Sequence, residues 1–328
     1  MRLFVPAETR DGERRVALVP DTVGKLAALG LDVTIESGAG AAAFATDADY
    51  VEAGATIVAT ADVADAFASA DVVATVRPLD PANAAKLKAG AVAMSFLQPN
   101  SDTETVAAIA SAGATALSFD LVPRISRAQS MDALTSQALV TGYRSTLVAA
   151  EALPKFFPLF MTAAGTIPPA KVLVLGAGVA GLQASATAKR LGAVVSAYDV
   201  RAASADEVRS MGATFIELEL EALEAGGGYA REMTEERAAR QRELLTPYIT
   251  ASDVLITTAA VPGRQAPRLV TAEMLEGMKP GSVVVDLAAE TGGNVEGSVA
   301  GEEVVIDGVR IWGAKDVAST MPVHASRL

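Results

Sequence analysis

Three glycines spaced as GxGxxG, Gly176, Gly178 and Gly181, stand between an apolar run and a helical pattern, and they constrain the fold more than any other feature of the chain. Residues 172–175 have the length and β-branched content of a buried parallel strand. The spacing gives each glycine its own task. Gly176 permits a tight turn, Gly178 lets a pyrophosphate approach the backbone, and Gly181 lets a helix starting near Val179 lie close to the strand. That helix start presents free N–H groups and a positive dipole end to phosphate. A second strand, residues 193–198, ends at Asp199, whose carboxylate can accept both hydroxyls of an adenosine ribose and would repel a 2′-phosphate. The pattern predicts NAD(H) rather than NADP(H). Val179 and Val200 complete the binding set, and Arg201 lies close enough to soften the discrimination. A glycine turn that binds nothing is the alternative.

At 328 residues the chain is long for one core, so two domains are expected. Alanine, valine, glycine and leucine dominate, and aromatics are only 5%; small residues of this kind let helices sit close to a sheet. A net charge of −12 argues against nucleic acid and against adsorption to anionic lipid. The chain has no cysteine, which excludes disulfides and thiolate metal sites and fits a reducing compartment. The amino terminus MRLFVPAETR begins as a strand and lacks a signal peptide's apolar core. The longest apolar stretch, residues 133–161, is interrupted by Arg144, Glu151, Pro154 and Lys155, short of the roughly twenty residues that span a bilayer. A soluble chain without a metal site is expected.

Before the glycine turn, short apolar runs alternate with helical patterns. Strands are expected at 2–6, 31–35, 56–59, 71–76, 91–96 and 114–119, and helices at 20–29, 47–53, 63–69, 82–88 and 102–112. This alternation predicts an α/β protein with two Rossmann-like, doubly wound parallel-sheet domains and an interdomain cleft. The expected division is 1–136 plus 318–328 for the first domain and 137–317 for the NAD(H)-binding domain. A long helix capped by Ser130 or Asp132 carries the chain between them. Its start makes the polar set Arg124, Arg127, Gln129, Ser130, Asp132, Thr135 and Ser136 a candidate site, with a solvated turn and helix cap as the bland alternative.

Beyond Asp199, a helix is expected at 206–211, a strand at 214–216 and an amphipathic helix at 234–245. Gly226, Gly227 and Gly228, followed by Tyr229, predict a mobile loop, either a lid or a floppy insertion. Buried strands at 253–257 and 282–287 should point their carboxyl ends at the crevice of the glycine turn. That makes Ala259, Asp286, Glu290 and Gly292 to Asn294 candidate lining, although Asp286 could equally cap local backbone. Asp307-Gly308 predicts a hairpin between two last strands.

The acid–base inventory is thin. His324 is the only histidine and reads as a surface residue near the end of the chain. Hydride transfer between two nicotinamide rings needs no general base, only alignment and exclusion of water, and the composition favours that chemistry.

RDGERRVALVPDTVGKL, RISRAQSMDALTSQALVTGYR, VLGAGVAGLQASATAKRLGAVVSAYDVR, GGGYAREM and VVVDLAAETGGN together resemble the NAD(H)-binding component of proton-translocating NAD(P) transhydrogenase, over nearly the whole chain. RAQSMD and GGGYAREM are the most specific segments. Alanine dehydrogenase is the related fold, similar in RRVALVP and in the Rossmann half. Where that enzyme carries its catalytic histidine, this chain has Gln98 in Phe96-Leu97-Gln98; its aspartate corresponds to Glu290; and Arg15, matching a substrate-carboxylate ligand, survives as structure. The resemblance implies direct hydride transfer from NADH to NADP+ held by a partner component, coupled to proton movement by a membrane component. It further implies that Gln129, Asp132 and Arg124 work at the reaction site, with Thr135 and Ser136 beside them and Tyr229 closing over the nucleotide. A homodimer, cytoplasmic and peripheral to the inner membrane through its partners, is also implied. The family continues past PVHASRL, so a chain trimmed at that end is expected. The alternatives are an alanine dehydrogenase-like amino-acid dehydrogenase and a non-catalytic NAD(H) sensor.

Overall fold

The computed structural model describes residues 1–220, 234–260 and 264–328. The chain forms two compact units, Met1–Gln137 with Ala318–Leu328, and Ala138–Val317.

The first unit is a six-stranded sheet of β1 (Arg2–Val5), β2 (Asp32–Glu36), β3 (Thr56–Val58), β4 (Val72–Ala74), β5 (Val92–Ser95) and β6 (Thr115–Ser118), in the order β3-β2-β1-β4-β5-β6. Every pairing is parallel. Helices α1 (Pro20–Ala28), α2 (Asp47–Glu52), α3 (Val63–Ser69), α4 (Pro81–Ala84) and α5 (Thr103–Ser111) make the crossovers. Strand residues alternate between two cores, as side chains two residues apart share a face. Leu3, Val5, Val33 and Ile35 join one cluster, while Phe4, Val73 and Ala93 join another with Phe67 and Ile109. The helix expected at 82–88 is only one turn, α4. Leu87 is drawn into the core and Lys88 pairs with Asp71, which pulls the backbone out of helical register.

Helix α6 (Ala133–Ala152) carries residues of both units. Asp132 rather than Ser130 caps it, its Oδ1 accepting the Thr135 N–H at 2.9 Å.

The second unit holds a seven-stranded sheet. Before it, a two-stranded hairpin, β7 (Phe160–Thr162) and β8 (Gly165–Ile167), is exposed along both strands. The sequence reading missed it among the prolines of that segment. The sheet comprises β9 (Lys171–Leu175), β10 (Val194–Tyr198), β11 (Thr214–Phe215), β12 (Val254–Thr257), β13 (Val283–Asp286), β14 (Glu303–Ile306) and β15 (Val309–Gly313). Its order is β11-β10-β9-β12-β13-β15-β14, parallel except for β14 against β15. The expected hairpin at Asp307-Gly308 is there, with φ of 49° and 78°. Helices α7 (Val179–Arg190), α8 (Ser204–Ser210), α9 (Glu235–Ala251) and α10 (Ala272–Glu276) cover the sheet, and α11 (Pro322–Arg327) ends the chain in the first unit. Val172, Val174 and Ile256 face one core and Leu173, Leu175 and Leu255 the other. The chain winds outward from β9 to β11 and then crosses to β12 on the other side of β9, so the strand order reverses beside the glycine turn.

Helix α9 continues to Ala251, six residues past the expected end, with Pro247 inside it. Leu245 and Ile249, four apart and fully buried, hold the turns on either side of the proline to the sheet. The Thr250 hydroxyl donates to the Thr246 carbonyl at 3.0 Å.

Within the second unit, α6 crosses α7 where Gly142 meets Ala180; a side chain at Gly142 would run into the Ala180 carbonyl. The Thr146 hydroxyl donates to the Ala184 carbonyl at 3.1 Å one turn further on. Gly142→Ala should therefore destabilise the protein by about 1–3 kcal/mol through overpacking. Gly24→Ala in α1, whose added methyl meets only the Ala53 carbonyl at 3.8 Å, should stabilise by roughly 0.5–1 kcal/mol. Urea unfolding of both variants checks this, and equal midpoints would contradict the close crossing.

Candidate functional site

Gly176 follows β9 with φ of 106°, a conformation that disfavours side chains, and its N–H donates to the Tyr198 carbonyl at 2.8 Å. The Thr258 hydroxyl donates to the Gly176 carbonyl at 3.1 Å, tying the turn to the end of β12. A side chain at Gly181 would collide with that same carbonyl, so the missing Cβ sets how closely α7 lies against the turn. At Gly178 a Cβ would meet nothing within 4 Å. Gly178 is the N-cap of α7 and makes no side-chain cap, which leaves the first turn of the helix facing open space where an anion is favoured. Val179 opens the helix.

Asp199, one residue beyond β10, holds the turn from the other side. Its Oδ2 accepts the Ala177 N–H at 2.7 Å, and the carboxylate pairs with Arg201, Nε to Oδ1 at 2.9 Å. Val200 packs on the core beneath β9 and β10.

Two candidate lining residues prove to be internal braces. Asp286 and Asn294 are both 0% exposed. The Asp286 carboxylate accepts from the Thr257 hydroxyl at 3.0 Å and from the N–H groups of Ala288, Asn294 and Val295 at 3.0–3.2 Å. It thus satisfies the loop after β13, the capping role weighed as its alternative. Gly293 is needed there because a Cβ would lie 2.7 Å from Asp286 Oδ2. Asn294 receives the Ala259 N–H at 3.0 Å and donates to the carbonyls of Ala259 and Pro267 at 2.8 Å. Ala259 is therefore clamped by a side chain that sequence reasoning placed in the ligand's path; the asparagine directly after two glycines was the available signal. Glu290 is exposed and its Oε2 accepts the Asp316 N–H at 3.2 Å.

The polar set of the first unit sits on a 3₁₀ turn, Ser126–Met131, leading into α6. Arg124, Arg127, Gln129 and Ser130 are exposed; Asp132, Thr135 and Ser136 are half-buried. Asp132 spends its carboxylate locally, Oδ2 accepting the Thr135 hydroxyl at 2.7 Å besides the helix cap. Around Gln129 the turn presents Leu121, Ile125 and Met131, all exposed. Gln98 is exposed with φ of 48°, its N–H donating to Asp120 at 2.9 Å. His324 is exposed on α11. Tyr229 with Gly226 to Gly228 lies outside the described residues, as does 261–263.

Arg15, 7% exposed, is fully engaged inside the first unit. It grips Glu13 through Nε and Nη2 at 2.7 and 2.6 Å and donates to Gln137 at 2.8 Å, while Arg77 adds a bond to Glu13 at 3.0 Å. Burial pushes the Glu13 carboxyl up, but the hydrogen bonds and charge of Arg15 and the charge of Arg77 more than reverse this and bring it to about 2. Beside this group, Glu8 accepts the N–H groups of Val76 and Arg77 at 2.6 and 3.1 Å. Burial outweighs those bonds and raises Glu8 to about 7. Sequence reasoning missed Glu8; an acid directly after the first buried strand was the only hint. Among the described residues there is no cluster suited to a metal ion and no helix long and apolar enough to cross a membrane.

Comparison with known proteins agrees with the motifs. The family description "Alanine dehydrogenase/PNT, N-terminal domain" matches residues 4–141 and "Alanine dehydrogenase/PNT, C-terminal domain" matches 145–328. An NAD(P) transhydrogenase subunit alpha chain of Rhodospirillum rubrum is 48% identical over 336 residues, covering 100% of this chain and 87% of the relative. The crystal structure of transhydrogenase from Sinorhizobium meliloti matches with a TM-score of 0.89 at 44% identity, over 100% of this chain and 90% of that one. Alanine dehydrogenase of Mycobacterium tuberculosis is 32% identical over 301 residues, 91% of this chain and 75% of the relative.

Glu8 and Glu13 tilt stability in opposite directions with pH. Glu13 is lowered in the fold, so its contribution is present above about pH 4.5 and is lost as pH falls toward 2. Glu8 is raised, so its contribution is present below about pH 4.5 and is lost as pH rises through 7. Between pH 5 and 8 the wild type should lose unfolding free energy relative to Glu8→Gln. Paired denaturant titrations measure the difference, and a flat one would remove Glu8 from this role.

Proposed function

The chain belongs to the alanine dehydrogenase/PNT family, and from that membership we propose that it is the NAD(H)-binding component of a proton-translocating transhydrogenase. In this reading it passes hydride from NADH to NADP+ held on a partner component, while a membrane component couples the transfer to proton movement. Its 48% identity to a transhydrogenase alpha subunit supports the reading. The observation that carries it against amino-acid oxidation is Gln98, an amide that cannot titrate, standing where the related dehydrogenase has its acid–base histidine.

The open first turn of α7 at Gly178 and Val179 would take the pyrophosphate, with Gly176 and Gly181 shaping the turn. Asp199, Val200 and Arg201 would hold the adenosine ribose, and Ala259 would bound the nucleotide. Arg124, Gln129, Asp132, Thr135 and Ser136 would position the nicotinamide end, with Glu290 and Tyr229 closing around it. Gln129 is the bridge to the incoming NADP(H), offering both a donor and an acceptor. The exposed apolar side chains of Leu121, Ile125 and Met131 suit a partner surface around it. Phe160 and Met161 on the hairpin and Val305 on edge strand β14, exposed as well, suit the contact of a homodimer held at the inner membrane through its partners.

An amino-acid dehydrogenase is favoured only by Arg15, and that side chain is already committed to Glu13 and Gln137. A non-catalytic NAD(H) sensor remains the reading of another class. Stopped-flow assays separate the three. The chain alone should bind NADH without turning over pyruvate and ammonium, and adding an NADP(H)-binding partner should start hydride transfer. Gln129→Asn, one methylene short, should lower the transfer rate by about 10²-fold with NADH affinity little changed. Rapid turnover of pyruvate and ammonium by the isolated chain would defeat the proposal.

A further inference from the structure

The Asp199 carboxylate is already occupied by the chain itself. Oδ1 accepts the backbone N–H of Arg201 at 2.9 Å and its Nε–H at 2.9 Å; Oδ2 accepts the Ala177 N–H at 2.7 Å and Arg201 Nη2 at 3.0 Å. A carboxylate offers about four lone-pair sites, so these donors use them all. Arg201 Nη2 also lies 3.4 Å from the Ala177 carbonyl, so the guanidinium spans from the end of β10 to the glycine turn. The pair is sheltered, with side chains 9% and 27% exposed for Asp199 and Arg201. A bidentate guanidinium–carboxylate contact is stronger there than on an open surface. The charge of Asp199 in turn raises the pKa of Arg201, mainly through the side-chain hydrogen bond.

A ribose diol on Asp199 needs two acceptor sites. The two backbone donors belong to the turn and to the end of β10 and cannot leave without unmaking them, so only the guanidinium bonds can be exchanged. We propose that Arg201 is a specificity-determining latch: its guanidinium holds the two acceptor sites of Asp199 that the ribose diol takes, and NAD(H) enters by displacing it. This rests on the NAD(H) reading above and deepens it. A displaced Arg201 remains tethered next to the 2′ position, where a 2′-phosphate meets its cation together with the Asp199 anion. One side chain therefore weakens NADH binding, hastens NADH release and moderates the exclusion of NADPH. A purely structural residue would not act on the two nucleotides in opposite directions.

Calorimetric titration of the full chain with NADH and with NADPH tests this, using wild type, Arg201→Ala and Arg201→Lys, with dissociation rates from stopped-flow displacement. Arg201→Ala should tighten NADH about three- to tenfold, slow its release in proportion and weaken NADPH about threefold or more, while Arg201→Lys falls between. Variants that keep the wild-type circular dichroism yet lose affinity for both nucleotides together, or change neither, overturn the latch and leave NAD(H) binding standing. A wild type that binds neither nucleotide overturns the NAD(H) reading and the latch with it. Should Arg201→Ala not fold, Arg201→Gln with Arg201→Lys carries the same comparison.

Discussion

The second unit depends on how closely α7 can lie against the end of β9. Gly181 has no side chain to keep it from the Gly176 carbonyl, and from that approach the rest follows. The turn can be held by Tyr198, Thr258 and Asp199 at once only because the helix does not push it outward. The first turn of α7 is left facing open space at Gly178, and α6 can cross at Gly142 because α7 is pinned at that height. Each contact is a backbone approach that a methyl group would forbid, so the geometry is set by absent atoms more than by attractive ones.

The two units share an architecture and use charge differently. In the first, Glu13, Arg15 and Arg77 satisfy one another in the interior, and Glu8 is held by backbone N–H groups beside them. Such groups are expensive to bury and strongly destabilising to break singly, so they lock the loops after β1 and β4 together. In the second, Asp199 and Arg201 are sheltered too, but their pair faces the glycine turn. The same pairing that is cement in one place is exchangeable in the other.

Much of this was legible in the sequence. The strands around 172–175 and 254–257 are uninterrupted apolar runs, and a run of that kind has few alternatives to a buried parallel strand. The hairpin at Asp307-Gly308 follows from two residues that tolerate positive φ. Legibility failed where tertiary contacts overrode local preference. Pro247 stays inside α9 because Leu245 and Ile249 clamp the helix from both sides, and the hairpin of β7 and β8 sits among prolines that signal turns rather than strands. Asp286 and Asn294 look like ligand contacts in sequence because an acid and an amide at strand ends often are. Only the folded loop reveals that they face inward toward N–H groups. Gly142 could not be found at all, since a helix-interior glycine announces nothing about the helix it must approach.

The division of the first unit between residues 1–137 and 318–328 has a consequence in time. Ser319 accepts the Arg14 N–H at 2.6 Å, Ser326 accepts the Val16 N–H at 3.0 Å, and Gln137 donates to the Ala325 carbonyl at 2.9 Å. The segment that carries Arg15 is therefore secured by residues made some three hundred positions later. A ribosome releasing this chain completes the intervening unit first, while the earliest strands wait with their buried ion pairs unfinished. The amino-terminal half is born first and closed last, and it is the part that a chaperone would have to shelter.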